Sequence, residues 1–210
     1  MKHSNPRRTR TSLLIAGLTI AIAGLAPSAA GAGVLVASAS DCDEQPLSQP
    51  FAPWLDPMSY TPLAGGSFEA GADGWALEAG AAVGTGNETY AVSGPGSRSL
   101  RLPAGASAIS PPICVGLDHP TVRLFAKRAG LPTSTLAVDV LFEDAAGNEH
   151  SLQIATLGGA SSWQPTVPVP ILVNLLALLP GERTAVAFRF ESNSGEWSVD
   201  DVYVDPRHSS

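Results

Sequence analysis

Two segments, far apart in the 210-residue chain, combine carboxylates with aromatic side chains. The first runs from Gly66 to Trp75 and contains Glu69, and the second runs from Glu196 to Pro206 and contains Asp200 and Asp201. Carboxylates in such settings serve as ligands of a hard cation, as acid–base catalysts or as ion-pair partners. The choice between these roles depends on the elements that position the side chains.

The second segment alternates like a β-strand. Strict alternation predicts two faces, one with Trp197, Val199, Asp201 and Tyr203 and the other with Ser198, Asp200, Val202 and Val204. A carboxylate on a buried face is costly unless it is paired or bound to a metal. Calcium would accept oxygens from it, from Glu69 and from carbonyls of glycine-rich turns. The alternative is that Asp200 pairs with Arg189 or Arg123, or caps a turn amide.

The first 39 residues are typical of a secretory signal peptide. Four basic residues precede an apolar run from Leu13 to Ala26, and small residues follow as far as Ala39. The run is shorter than the roughly twenty residues that a membrane-spanning helix needs. We therefore predict a secreted, extracellular protein with no membrane span after signal removal, cleaved after Ala32 or Ala39 and exported by the general or the twin-arginine route.

The charge of the mature chain excludes one class of partner. The signal segment holds four of the twelve basic residues and none of the nineteen acidic ones. The mature chain therefore keeps eight basic and nineteen acidic residues, a net charge of −11. Such a surface repels the phosphates of nucleic acid, and nucleic acid is therefore not an expected partner.

The mature chain has the length of one domain. Residues 40–65 are rich in Pro, Ser and acidic residues without a regular period, and we predict an irregular N-terminal arm followed by a β-sandwich at 66–206 and a tail at 207–210. Cys42 and Cys114 are predicted to form a disulfide that fastens the arm, worth roughly 4 kcal/mol in the chain-entropy model. A metal-binding or catalytic pair is the alternative, but neither cysteine has a CxxC partner.

Short alternating runs separated by Gly, Pro, Asn and Asp predict an all-β, antiparallel domain. The predicted strands are 74–77 and 81–83 as an early pair, 99–102, 107–109, 121–127, 136–143 and 149–156 as a hairpin, 184–191 and 197–204. Residues 167–170 must be extended or at an edge because of their prolines. Residues 171–179 are predicted to form a short helix or an irregular buried segment.

Catalytic motifs are absent from the sequence: it has no nucleophile elbow, zinc-protease helix, phosphate-binding loop or dinucleotide fingerprint. His119 and His150 are predicted to be ordinary exposed residues. We therefore do not expect an enzyme.

The Gly-Ser-Phe-Glu motif with Trp75, the segment 96–102 and the closing Trp-Ser-Val-Asp-Asp-Val-Tyr-Val strand resemble galactose-binding-like jelly rolls, the fold of many carbohydrate-binding modules. The resemblance covers residues 65–206 and extends to small secreted proteins of actinobacterial type. It implies a non-catalytic binding module, and it implies that Glu69 and Asp200 hold a structural calcium.

Sugar binding would require exposed rings with polar neighbours. Phe68, Trp75 and Trp197 lie in the framework motifs and are predicted to be core residues. The predicted ligand-binding residues lie in loops: Trp163 and Tyr90 as the ring platform, with Asn87, Glu88 and Gln164 as polar partners. Ordinary loop packing is the alternative for each of them.

Three functions stay open on the sequence. The first is a binding module for carbohydrate or cell-envelope polymer, stabilised by calcium. The second is an extracellular structural or protein-interaction domain without a sugar site, and the third is a hydrolase.

Overall fold

The computed structural model describes Met1 and residues 45–144, 146–172 and 183–205. These residues form a two-sheet antiparallel β-sandwich with jelly-roll architecture, preceded by an irregular arm that contains one short 3-10 helix at Ala52–Trp54. The predicted fold class is confirmed. The predicted signal peptide, Cys42, residues 173–179 of the apolar segment and the tail lie outside the described residues.

The strands follow the chain in order. They are β1 (Thr61–Pro62), β2 (Ala76–Glu78), β3 (Ala82–Thr85), β4 (Arg98–Leu102), β5 (Ser107–Ile109), β6 (Ile113–Gly116), β7 (Thr121–Ala129), β8 (Leu136–Glu143), β9 (Glu149–Leu157), β10 (Gln164–Pro165), β11 (Val169–Pro170), β12 (Arg183–Ser192) and β13 (Glu196–Asp205).

One sheet has seven strands in the order β10-β7-β13-β4-β3, with β1 also on β13 and β11 also on β7. The other has six strands in the order β2-β5-β12-β8-β9, with β6 also on β12. The predicted hairpin of β8 and β9 is confirmed.

Two sequence predictions about the strands need correction. The runs 74–77 and 81–83 do not pair with each other, because β2 joins β5 in one sheet and β3 joins β4 in the other. The turn between them has positive φ at Ala79 (50°) and Gly80 (88°), which redirects the chain from one sheet to the other. The sequence does not predict strands β1, β6 and β10, whereas β11 lies within residues 167–170, which are predicted to be extended or at an edge. Strands β1, β10 and β11 carry proline, which occurs at strand edges.

The main core lies between the sheets and is built by alternating side chains. It includes the predicted framework residues Phe68, Trp75 and Trp197 together with Phe188 and Phe190. All five are at most 7% exposed. Burial of such side chains is worth about 1.5–3 kcal/mol each, so this layer supplies most of the stability of the sandwich.

Strict alternation along β13 is interrupted, contrary to the sequence prediction. The register with β7 shifts between Asp200 and Tyr203, and Asp201 has a φ of 47°. This bulge places Val202 in the main core with Val199, while Tyr203 turns to the outer face of the sheet. A bulged residue re-aims the side chains that follow it. Asp201 and Tyr203 therefore do not share the face of Val199.

Candidate functional site

A second apolar cluster lies on the outer face of the seven-stranded sheet. We call it the outer cluster, and its buried members are Phe51, Tyr60, Phe125, Trp163 and Tyr203. Phe51 stacks on Phe125 with ring centroids 5.5 Å apart, and Tyr60 and Tyr203 meet the Phe51 ring edge-on. The arm thus covers strands β7 and β13, which is why their outward-facing side chains are buried.

An ion pair fastens the arm to the sheet. The Arg123 guanidinium donates to Asp56 Oδ2 and lies over the Phe51 ring, 4.1 Å from its centroid. Tyr60 Oη also donates to Asp56 Oδ2, at 2.7 Å. Burial opposes ionisation of Asp56, but the hydrogen bonds from Tyr60 and Met58 and the Arg123 charge hold its pKa below the ordinary value. The pair is therefore charged at neutral pH.

An open pocket of about 600 Å³ lies beside the outer cluster. The arm contributes Trp54, Asp56 and Tyr60 to its lining, and Gln164 and Arg123 line it from the sheet. Its volume falls in the range of roughly 300–1,000 Å³ that is typical of small-molecule sites. Rings, a carboxylate and an amide thus face one space.

Three of the predicted ligand-binding residues come together at one edge of this region. Gln164 Nε2 donates to Tyr90 Oη at 3.2 Å, and Tyr90 Oη donates to the carbonyl of Trp163 at 3.3 Å. Tyr90 is 43% exposed, whereas Trp163 is only 5% exposed. Lys127 Nζ lies 4.8 Å from the Trp163 ring centroid. Trp163 therefore lies in the outer cluster and is not an open platform, while Tyr90 and Gln164 remain accessible.

The other two predicted partners, Asn87 and Glu88, organise their own loop. The Glu88 carboxylate accepts hydrogen bonds from the backbone amides of Tyr90 and Val92. Asn87 Nδ2 donates to the Glu88 carbonyl at 2.9 Å. Glu88 is 2% exposed, so its side chain supports the Tyr90 loop from within.

Glu88, Asp200 and Asp201 form a buried acidic cluster, none of them more than 2% exposed. Asp200 Oδ2 accepts the Glu88 backbone amide at 2.9 Å, and Asp200 Oδ1 accepts the Asp201 amide at 2.9 Å. Asp200 therefore caps backbone amides and does not pair with either arginine, since Arg123 pairs with Asp56 and Arg189 pairs with Asp139.

Ionisation of this cluster is unfavourable. Burial raises the pKa of Asp200 to about 8, and the neighbouring Asp201 and Glu88 charges add to the shift. Burial also raises the pKa of Asp201 to about 6, with a further contribution from Glu88. The buried Asp201 Oδ2 has no hydrogen-bond partner among the described residues. A proton or a cation would relieve this repulsion.

Glu69 lies beside the same loop but has its own partners. Its carboxylate accepts the backbone amides of Ser97 and Arg98 at 2.8–3.0 Å. A β-carbon placed on Gly96 would lie 2.6 Å from Glu69 Oε1 and still closer to Asn87 Oδ1, so both side chains converge on this glycine. Glu69 thus contacts the loop that carries Glu88, through Ser97 and Arg98.

In the part of the chain that the structure describes, no three His, Cys, Asp or Glu side chains are arranged as a site for a metal ion. No helix among these residues has the length and apolarity to cross a membrane. Cys114 lies on β6, but its predicted partner Cys42 is outside the described residues, and the disulfide stays a prediction.

His119 was expected to be exposed and is instead fully buried. Its Nε2 lies 2.9 Å from Gln45 Oε1, and its Nδ1 lies 3.0 Å from the Gly116 amide. The side chain joins the start of the arm to the turn after β6. His150 is exposed, as predicted, and lies 2.8 Å from Asp144 Oδ2.

The sandwich matches solved structures, whereas no protein-family model and no curated protein matches the chain. The N-terminal CBM22-1 and GH10 modules of endo-1,4-β-D-xylanase 10B from Clostridium thermocellum, complexed with xylohexaose, match with a TM-score of 0.50 and 18% identity. The match covers 68% of this chain and 28% of that one. The shared fold is the jelly-roll β-sandwich. The CBM22-1 xylan-binding domain from Paenibacillus barcinonensis matches with a TM-score of 0.45 and 18% identity over 69% of this chain and 93% of that one.

The sequence places Trp54 of the arm among the three rings in loop-like contexts, with Tyr90 and Trp163, but it does not select the arm as part of this site. Trp54 and Asp56 lie in an irregular segment, and Arg123 alternates normally within β7. Their shared position becomes visible only when the arm is placed across β7. The one available signal was the high aromatic content of the arm, whose rings must be buried somewhere.

Proposed function

We propose that this protein is a secreted, non-catalytic binding module for a carbohydrate or cell-envelope polymer. The observation that carries the proposal is the open pocket of about 600 Å³ in which tryptophan and tyrosine rings meet carboxylate and amide groups. Rings stack on the apolar faces of sugars, and a small number of placed polar groups fix ligand orientation. The carbohydrate-binding-module fold is consistent with this function.

The predicted partners Tyr90 and Gln164 extend the pocket along its edge. The Tyr90 ring meets Trp54 at 4.7 Å and 89°, and the Gln164 amide is exposed beside it. The ligand in this proposal touches these groups, whereas Trp163, Asn87 and Glu88 support them from below.

Retention on insoluble polysaccharides tests this function. The mature protein is incubated with a panel of xylan, cellulose, β-glucan, galactan, mannan, chitin and bacterial cell-wall preparations, and the bound fraction is measured. We expect retention on at least one of them and its loss in Tyr90→Ala with Gln164→Ala. Leu131→Ala, which removes another exposed side chain, serves as the control. A wild-type protein that none of these materials retains contradicts the proposal.

A protein-interaction domain is the second candidate, and the rim of the pocket favours it. Leu55 is 96% exposed, Val167 is 70% exposed and Met58 is 36% exposed, and all three line the pocket. An exposed apolar rim is a common mark of a protein contact. Cross-linking on the source cell surface, with and without Leu55→Ser and Val167→Ser, distinguishes this function from glycan retention.

We further propose that calcium stabilises the fold at the acidic cluster, with Asp200 as the central ligand and Glu69 at its edge. Mutual repulsion between the buried carboxylates and the unpaired oxygen Asp201 Oδ2 support this proposal, in which the carboxylates would have to close on the ion, since the described residues are not arranged as a metal site without it. Carboxylate and carbonyl oxygens are the ligands that calcium prefers.

Thermal melts test the cation proposal. The mature protein is melted at pH 7.5 with calcium and with chelator, and we expect a higher melting temperature with calcium. Asp200→Asn should lose this difference, whereas Asp144→Asn, at a surface carboxylate, should keep it. Equal melting temperatures for the wild-type protein with and without calcium would remove the cation from the proposal.

A further inference from the structure

The arm forms one wall of the pocket and does more than cover the sheet. Trp54, Asp56 and Tyr60 line the pocket from the arm, and Gln164 and Thr166 line it from the opposite wall. The arm segment is closed on itself, because Ser48 and Tyr60 exchange backbone hydrogen bonds of 2.9 and 2.8 Å. The wall is therefore a defined loop.

Arg123 connects both walls. Its Nε and Nη2 donate to the Thr166 carbonyl at 2.9 and 2.7 Å, and its Nη1 donates to Asp56. The residue is 5% exposed. Arg123 thereby fixes the separation of the two walls, and its guanidinium donates to protein groups on both sides.

Trp54 differs from the other three tryptophans of the chain. Trp75, Trp163 and Trp197 are 7%, 5% and 0% exposed, whereas Trp54 is half-buried and lines the pocket. Its ring makes steep contacts with Tyr90 at 4.7 Å and with Phe125 at 5.3 Å. These two contacts hold the ring in place, and the part of the ring that they leave accessible lines the pocket.

We propose that the arm is an integral part of the ligand site. Trp54 is the ring on which a sugar unit stacks, Asp56 and Gln164 bind its hydroxyl groups, and Arg123 is the positioning residue that holds arm and sheet together. This inference rests on the proposed glycan-binding function. Because the ligand contacts both walls, ligand binding and arm docking stabilise each other.

Acrylamide quenching of tryptophan fluorescence tests this directly, since Trp54 is the tryptophan that a neutral quencher can reach. The probe is a soluble oligosaccharide of the polysaccharide that retains the wild-type protein. We expect the oligosaccharide to reduce the quenching constant at least twofold. Trp54→Phe should show little quenching with or without it, and Trp75→Phe, which removes a buried ring, should behave like the wild-type protein.

Affinity measurements complete the test. We expect Trp54→Ala to weaken oligosaccharide binding at least tenfold by calorimetry while its melting temperature stays close to that of the wild-type protein. Arg123→Lys should bind more weakly and show faster quenching of Trp54 without ligand, and saturating oligosaccharide should restore protection. A merely structural role for Arg123 would lower stability without this ligand-dependent recovery.

The outcomes separate the two proposals. Unchanged affinity of Trp54→Ala, or unchanged quenching on ligand binding, overturns the arm site and leaves glycan binding elsewhere on the module intact. Failure of every polysaccharide to retain the wild-type protein overturns both.

Discussion

The main core and the outer cluster both bury aromatic rings against the seven-stranded sheet, but they do so by different means. The main core lies between two sheets and its rings contact aliphatic side chains. The outer cluster lies under an irregular arm, and charged groups are part of it, with Arg123 over Phe51 and Lys127 over Trp163. Strand β7 contributes side chains to both clusters, since Leu124 points to the main core and Phe125 points to the outer cluster.

This difference shows why the outer face is the place for a site. The rings between the two sheets are at most 7% exposed, whereas the arm covers the outer face incompletely and leaves an open pocket beside the outer cluster. A segment without regular structure can combine rings, carboxylates and open space, because its backbone does not have to satisfy a ladder.

The largest expected effect separates the two regions through a matched pair of buried phenylalanines. Phe188 in the main core and Phe51 in the outer cluster are both 0% exposed. Phe188→Ala should cost about 3–5 kcal/mol of unfolding free energy, as for large core truncations. Phe51→Ala should cost less, because the arm can undock locally and its docking free energy limits the loss.

Denaturant unfolding and hydrogen exchange measure this difference. Phe51→Ala should speed exchange at the Ser48 and Tyr60 amides while leaving the main-core strands protected. Equal costs with uniform loss of protection would show that the arm and the sandwich form one cooperative unit.

The second effect is a pH dependence that belongs to the outer side of β13. The folded-state pKa values of Asp200 and Asp201, about 8 and about 6, lie above their ordinary value of 3.8. The folded protein therefore holds protons that the unfolded chain has released. Their contribution to stability is complete below pH 3.8 and is lost as pH rises through about 6 and then about 8.

In chelator, unfolding free energy should fall by an amount on the order of 2–4 kcal/mol between pH 5 and pH 8. Asp200→Asn, which mimics the protonated carboxyl, should flatten this slope. Asp56 and Asp144 have lowered pKa values, so their contributions to the unfolding free energy change below pH 4 and not between pH 5 and pH 8. A wild-type slope of the opposite sign would contradict the assignment.

The third effect concerns the ion pair that fastens the arm. Asp56→Asn leaves the nearly buried Arg123 guanidinium without its counter-charge, and we expect a loss of about 1–3 kcal/mol, below that of a fully buried pair because Asp56 retains some solvent contact. The measurement is denaturant unfolding together with limited proteolysis of the arm. Cleavage within residues 51–60 should accelerate. An uncleaved arm would show that the ring contacts alone hold it.

The smallest effect is expected at an exposed pair on the same sheet. Arg101 and Glu196 form an ion pair at 2.5 Å with side chains 51% and 40% exposed. Glu196→Gln should change unfolding free energy by less than about 1 kcal/mol, since solvent screens such pairs. A loss as large as that of Asp56→Asn would remove the distinction between covered and open ion pairs.

Several elements could be predicted because their cause is local. Strands β8 and β5 have the predicted bounds. Side chains of β7 and β12 alternate between the main core and the outer faces of the sheets. Framework rings such as Trp75 and Trp197 were recognisable from their motifs. Other features depended on distant contacts. The pairing of β2 and β3 with different sheets, the burial of His119 beside Gln45 and the burial of Trp163 under Lys127 all join residues far apart in the chain.

The two segments that combine carboxylates with aromatic side chains, 66–75 and 196–206, show the same division between local and tertiary causes. Alternation correctly indicated that Asp200 faces away from Val199, but the bulge at Asp201 is a property of the strand pair and not of the segment. The grouping of Asp200 with Glu88 also required the loop 86–97 to fold over β13.

By itself, the sequence determined the fold class, the order of the long strands and the rings of the main core, because hydrophobic periodicity acts residue by residue along each strand. Only the tertiary structure decided that the arm covers the outer face, that Arg123 joins the two walls of the pocket and that three carboxylates are buried together. Those outcomes depend on which surfaces meet, and an irregular segment has no period from which its contacts can be inferred.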